Sequence, residues 1–192
     1  AGLRKPDAGH IEVHGTDMAH LDHRARGRRI AFLPQDRTVH WPLKARTVVA
    51  LGRLPHGAGA GRGESLDDRR LIEAALDAMD AGAFADRKIS ELSGGERARV
   101  LIARALAQDA GILLADEPAA GLDPAHALAL FETFVRLAAG GRTVIVALHD
   151  LSLALRYCSH TLLLKAGHIA ASGPTSDVLT EAAIAHVYGV SV

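Results

Sequence analysis

The strongest constraint on the fold is one stretch, Leu92-Ser93-Gly94-Gly95-Glu96, which runs without a break into Arg97-Ala98-Arg99-Val100-Leu101-Ile102-Ala103-Arg104-Ala105-Leu106-Ala107. Val100, Leu101, Ala103, Ala105 and Leu106 recur at helical spacing, with Arg97, Arg99 and Arg104 between them. Ser93 stands where an N-cap belongs, and Glu96 follows three residues later, the spacing of a capping box. A helix start presents unpaired N–H groups backed by the positive end of the dipole. Two glycines there remove the side chains that would keep an anion away, so the turn is shaped to meet a phosphate. By itself the pattern is also that of an ordinary capped helix.

A second element follows at once. Ile112-Leu113-Leu114-Ala115 is a short apolar run that ends in Asp116-Glu117-Pro118, and Gly121-Leu122-Asp123-Pro124 comes next. A strand ending in two adjacent carboxylates places hard oxygen ligands at a sheet edge. Upstream, Ile30-Ala31-Phe32-Leu33 is another apolar run, ending at Pro34-Gln35. Downstream, Thr143 to Leu148 is a continuous apolar run, the pattern of a strand buried on both faces, and it ends at His149-Asp150.

Together these motifs resemble the ATP-binding subunits of ABC transporters, over essentially the whole chain. The resemblance identifies Leu92 to Glu96 with the signature loop, Ile112 to Glu117 with the Walker B strand and Ala120 to Asp123 with the D-loop. It implies that Ser93, Gly94, Gly95, Glu96, Gln35 and Asp123 bind ATP, and that Asp116 and Gln35 hold Mg²⁺. Glu117 is then the base that polarises the attacking water, and His149 the switch histidine at the γ-phosphate. Asp123 is equally the N-cap of a helix beginning at Pro124, and the two roles are compatible.

One part of the family pattern is absent from these 192 residues. A P-loop reads G-x-x-x-x-G-K-[ST]. The lysines are Lys5, Lys44, Lys88 and Lys165, and none follows a glycine. Gly57 to Gly63 is glycine-rich, but no apolar strand feeds it, so it reads as a surface loop. The expectation is a family member cut off just after its P-loop, lacking the N-terminal strand, with neighbouring strands left with unpaired apolar edges. The alternative is a truncated or degenerate subunit that binds or regulates without turning over ATP.

Composition narrows the classes further. Lys plus Arg equal Asp plus Glu at 22 each, which gives no net charge to hold a nucleic acid. Chromosome and DNA-repair ATPases share the signature but need long coiled-coil arms, and only a short segment separates Gln35 from Ser93. Cys158 is the sole cysteine and sits in an apolar, helix-like stretch as a small hydrophobe. His20 with His23, or His10 with His14, lack a third ligand nearby and read as surface positions. No run is long enough to span a bilayer, so membrane association comes through a partner.

The remaining segments complete an α/β domain with a parallel core. Ala1 to Gly9 reads as a helix end and a turn, and His10 to His14 as a strand. Arg24, Arg26, Arg28 and Arg29 read as a solvated basic face, and Thr47 to Arg53 as a helix. Leu66 to Met79 reads as an amphipathic helix with Leu71, Ala75 and Leu76 inward and Asp67, Asp68, Arg69 and Arg70 outward. Trp41 packs under its loop, or faces a membrane subunit. Helices over 125–139 and 151–157, strands at 161–164 and 168–171, and two short closing helices finish the chain.

The fold class implied by the resemblance is a P-loop NTPase-like ABC ATPase domain over 1–192, with an inserted helical subdomain at about 38–110. Permease subunits, a second ATP-binding subunit and, indirectly, a substrate-binding protein are its partners, at the cytoplasmic face of the membrane. Phe32-Leu33-Pro34-Gln35, the 49–56 segment and Leu148-His149-Asp150-Leu151 are similar to importers of iron-siderophores, haem or cobalamin.

Overall fold

A computed structural model describes residues 2–36, 42–58 and 63–189. Trp41 and most of the glycine-rich stretch lie outside them. The described residues form two compact units divided between Ala147 and Leu148.

The first unit opens with a two-strand hairpin, β1 (Glu12–Val13) and β2 (Thr16–Asp17). His14 and Gly15 turn it with φ of 51° and 70°. The strand is shorter than the alternation over 10–14 suggests, and residues 2–9 contain no helix. Helix α1 (His23–Arg29) then carries the arginines. Three of them are not merely solvated. Arg26 donates to Met18 O at 3.1 Å, Arg28 to Pro55 O at 2.9 Å and Arg29 to Val13 O at 3.4 Å.

Three apolar runs form a parallel sheet in the order β3 (Ile30–Leu33), β4 (Ile112–Asp116), β5 (Thr143–Ala147). Leu33 lies opposite Ala115, and Asp116 opposite Ala147, so the strand ends carrying the candidate residues share one edge. Parallel neighbours need long crossovers. The second is helix α5 (Pro124–Ala139), capped by Asp123. The strand β5 corrects the expectation of burial on both faces, because Thr143, Ile145 and Ala147 are exposed. It pairs only with β4 among the described residues, so one face and one edge lack neighbours.

The first crossover holds helices α2 (Ala45–Ala50), α3 (Leu66–Ala78) and α4 (Gly94–Ala107), which pack on one another. Val48, Val49, Ile72, Leu76, Val100 and Ile102 are their buried apolar side chains. The helix read over 47–53 begins at Ala45 and tightens after Ala50 into a 3₁₀ turn, Leu51–His56, that contains Pro55. A Cβ on Gly52 in that turn would lie 2.3 Å from Arg104 O, so only glycine permits this approach to α4.

Two positions on α3 depart from the amphipathic reading. Ile72, rather than Leu71, is fully buried, and Asp68 is buried rather than outward. Asp68 closes a capping box with Ser65 and accepts from Arg53 Nε at 2.7 Å. The Arg53 guanidinium, with the Ser65 hydroxyl behind it, brings the Asp68 carboxyl down to about 2. Arg53 also donates to Ala107 O at 3.0 Å, tying the pair to the end of α4.

The second unit comprises helix α6 (Leu151–Tyr157), the hairpin β6 (His160–Lys165) and β7 (His168–Pro174), and helices α7 (Thr175–Val178) and α8 (Glu181–Tyr188). Ala166 and Gly167 both have positive φ, 49° and 79°, as a two-residue hairpin turn requires. Ala154, Leu163, Val178 and Leu179 form the core, with Cys158 packed against it. Burial pushes the Cys158 thiol up. Leu162, Leu164 and Ile169 stay exposed, the apolar surface expected of strands lacking a neighbour.

Candidate functional site

Helix α4 begins as its sequence dictates. The Ser93 hydroxyl accepts from Glu96 N at 3.3 Å, and Glu96 Oε2 accepts from Ser93 N at 2.8 Å. That reciprocal bond lowers the Glu96 carboxyl below its usual range, helped by Arg87 at 3.4 Å. Gly94 would direct a Cβ into open space, so the first turn is bare on that side. A Cβ on Gly95 would sit 3.5 Å from Gly121 O, which marks how closely the 120–123 loop approaches.

Asp116 is half-buried at the end of β4. The next residue, Glu117, has φ of 48°, a left-handed conformation that costs a side-chain-bearing residue roughly 1–2 kcal/mol. Its N–H donates to Ala147 O at 3.1 Å, extending the β4–β5 ladder by one bond. Ala120 N then donates to Glu117 O and Leu122 N to Ala119 O, winding the chain into the loop that ends at Asp123. Gln35 is exposed on the bend after β3, at the same sheet edge as Asp116 and Glu117. The carboxyl ends of parallel strands are where open α/β sheets bind ligands.

The 120–123 loop returns beside the start of α4. Ser93, Gly95 and Glu96 line one side of a cleft of about 130 Å³, Leu122, Asp123 and His126 line the other, and Arg99 completes it. Asp123 Oδ1 accepts from His126 N at 3.1 Å, the helix cap expected of it, and Oδ2 lies 2.5 Å from His126 Nδ1. The His126 N–H, then its ring, lower the Asp123 carboxyl.

The structure thus unites Ser93, Gly95, Glu96 and Asp123 in one cleft, with Gly94 on the helix turn beside it. It sets Gln35, Asp116 and Glu117 along one sheet edge. His149 is exposed in the second unit, directly before Asp150, which caps α6. Sequence reasoning missed Arg99 and His126 as cleft residues. Both lie three residues after a recognised one, Glu96 and Asp123, the spacing that stacks side chains on one helix face.

Residues 1–120 match the family model described as ABC transporter. The chain belongs to the ABC transporter family. The hemin import ATP-binding protein HmuV of Pseudomonas entomophila is 44% identical over 196 residues, covering 100% of this chain and 75% of the relative. The cobalamin import ATP-binding protein BtuD of Halobacterium salinarum is 42% identical over 180 residues, covering 93% of this chain and 44% of the relative. Among solved structures, a dimeric ATP-binding cassette in a post-hydrolysis state, bound to ADP and Pi, superposes with a TM-score of 0.79 at 30% identity. It covers 90% of this chain and 76% of that one. The chain is therefore an ATP-binding subunit of an ABC transporter.

Proposed function

We propose that this chain hydrolyses ATP to power an importer of hemin, cobalamin or an iron-siderophore, working as one of two ATP-binding subunits beneath a pair of permease subunits. The observation that carries the reading is the cleft in which the Ser93–Glu96 turn faces the Ala120–Asp123 loop. The hemin and cobalamin import relatives support the cargo class. The dimeric cassette supports pairing. No helix among the described residues is long and apolar enough to cross a membrane. In this reading the chain sits at the cytoplasmic face against the permeases, as the import ATP-binding relatives suggest. Helices α2 to α4, within the 38–110 segment, form the helical subdomain in this reading.

The residue roles are those the family resemblance implies, and the chemistry of the side chains is compatible with them. The N–H groups of Gly94 and Gly95, with the Ser93 hydroxyl, contact the phosphates of a nucleotide held by the second subunit. Glu117 orients and polarises the attacking water, Asp123 acts from the D-loop, and His149 meets the γ-phosphate. Among the described residues no group of three or more His, Cys, Asp or Glu is arranged to hold a metal. Asp116 and Gln35 offer oxygen donors at adjacent strand ends, which fits Mg²⁺, an ion that takes most of its ligands from water and phosphate. When bound, Mg²⁺ neutralises charge on the transferring phosphoryl group.

The experiment is steady-state turnover and ATP binding by the Glu117→Gln variant of the native protein assembled with its permease. The expected result is a fall in kcat of roughly 10² to 10⁴ with ATP binding retained. Full turnover in that variant removes Glu117 from the base role.

A further inference from the structure

Four side chains beyond the recognised motif residues, Arg99, His126, Asp80 and Phe84, meet at or beside the cleft. Arg99 Nη1 lies 2.8 Å from His126 Nε2. The same nitrogen reaches Asp80 O at 2.9 Å and Asp80 Oδ2 at 3.0 Å. The guanidinium carbon stands 4.9 Å from the centre of the Phe84 ring. Arg99 is thereby held by Asp80 and Phe84 of the segment after α3 and by His126 of α5, and only 12% of its side chain is exposed. Asp80, by contrast, is 88% exposed.

The hydrogens in this chain of contacts can be assigned. Arginine only donates and does not lose its proton. A hydrogen bond from Arg99 to His126 uses the lone pair of Nε2, and Nη1 shares its two protons between that nitrogen and the two Asp80 oxygens. The ring proton belongs on Nδ1, where it meets the Asp123 carboxylate at 2.5 Å. With the proton so placed, the ring accepts on one side and donates on the other. Asp123, in turn, has both oxygens committed, Oδ1 to the helix cap and Oδ2 to the ring.

We propose that His126 is a positioning residue that couples the D-loop to the signature helix, linking Asp123 to Arg99 through its neutral Nδ1–H tautomer. Arg99 lies one helical turn beyond Glu96, so its side chain moves with the start of α4. Asp123 ends the 120–123 loop. A shift of either segment breaks one of the two bonds to His126, so the imidazole holds both in one register. The inference rests on the reading of the cleft as a nucleotide site.

The test is a mutant cycle on kcat for ATP in the native protein assembled with its permease. Asp123→Asn and Arg99→Gln are made singly and together, in the presence of His126 and again with His126→Ala. His126→Ala is expected to lower kcat about tenfold, the worth of one hydrogen bond made in the reacting state, with KM for ATP unchanged. The Asp123 and Arg99 effects are expected to be non-additive with His126 present and additive without it. Additive effects in both backgrounds overturn the relay. Nitrogen-15 NMR of the ring gives a readout apart from activity. A protonated Nδ1 with a bare Nε2 is expected, and the opposite tautomer overturns the assignment. Gly94→Asp separates the two levels of the argument. If it leaves turnover intact, the reading of the cleft fails. If it abolishes turnover while the cycle is additive, the relay alone fails.

Discussion

Arg53 Nε donates to Asp68 Oδ1 at 2.7 Å beneath the helices that carry the signature turn, and both residues are more than nine-tenths buried. The same guanidinium holds Ala107 O, so the pair anchors the far end of α4 to the 3₁₀ turn and to α3. Removing one member leaves the other charge buried. Arg53→Met is expected to lower unfolding free energy by about 3 kcal/mol, read from urea unfolding.

Acid should act on the same pair. The Asp68 carboxyl lies near 2 in the folded protein against about 3.9 when unfolded. Its folded value is depressed, so its contribution is present above pH 4 and is lost as pH falls towards 2. Unfolding midpoints measured across pH 5 to 2 should drop in the native protein. In Asp68→Asn that part of the slope should vanish.

Gly52 sets how close α4 can lie to its neighbour. A methyl group there meets Arg104 O at 2.3 Å, which is backbone and has nowhere to retreat. Gly52→Ala is expected to cost about 1–3 kcal/mol, seen as a lower Tm.

Ser93 closes the capping box at the start of α4. Ser93→Ala is expected to destabilise the helix by about 1 kcal/mol and to speed amide exchange in its first turn. Ser93→Asp, which can still cap, should restore the exchange protection. Turnover should remain low in that variant, because a carboxylate meets the phosphate in place of a hydroxyl.

Glu117 occupies a left-handed backbone conformation. Glu117→Gly and Glu117→Ala lose the same side-chain interactions, but only alanine keeps the strain. The glycine variant is expected to be more stable than the alanine variant by about 1 kcal/mol in urea unfolding, with both inactive. Equal stabilities would place the strain elsewhere.

Much of this protein was legible one residue type at a time. The capping box at Ser93 and Glu96, the cap at Asp123, the strand Ile30–Leu33 and the helix Leu151–Tyr157 are local structures, decided by hydrogen bonds and periodicities a few residues long. The sequence by itself therefore determined these helices and strands and the motif residues at their ends, though not the ends of the 10–14 strand or of the helix read over 47–53. Tertiary structure alone decided the rest. Asp68 looks like a surface charge until Arg53, fifteen residues earlier, arrives as its partner. The Thr143–Ala147 run looks doubly buried, yet burial depends on which strands flank it. The Arg99–His126 contact joins residues 27 positions apart on different helices, and no local rule reaches that far. Long-range pairing is settled by packing, because a charge or an imidazole takes its role from whatever the folded chain sets against it.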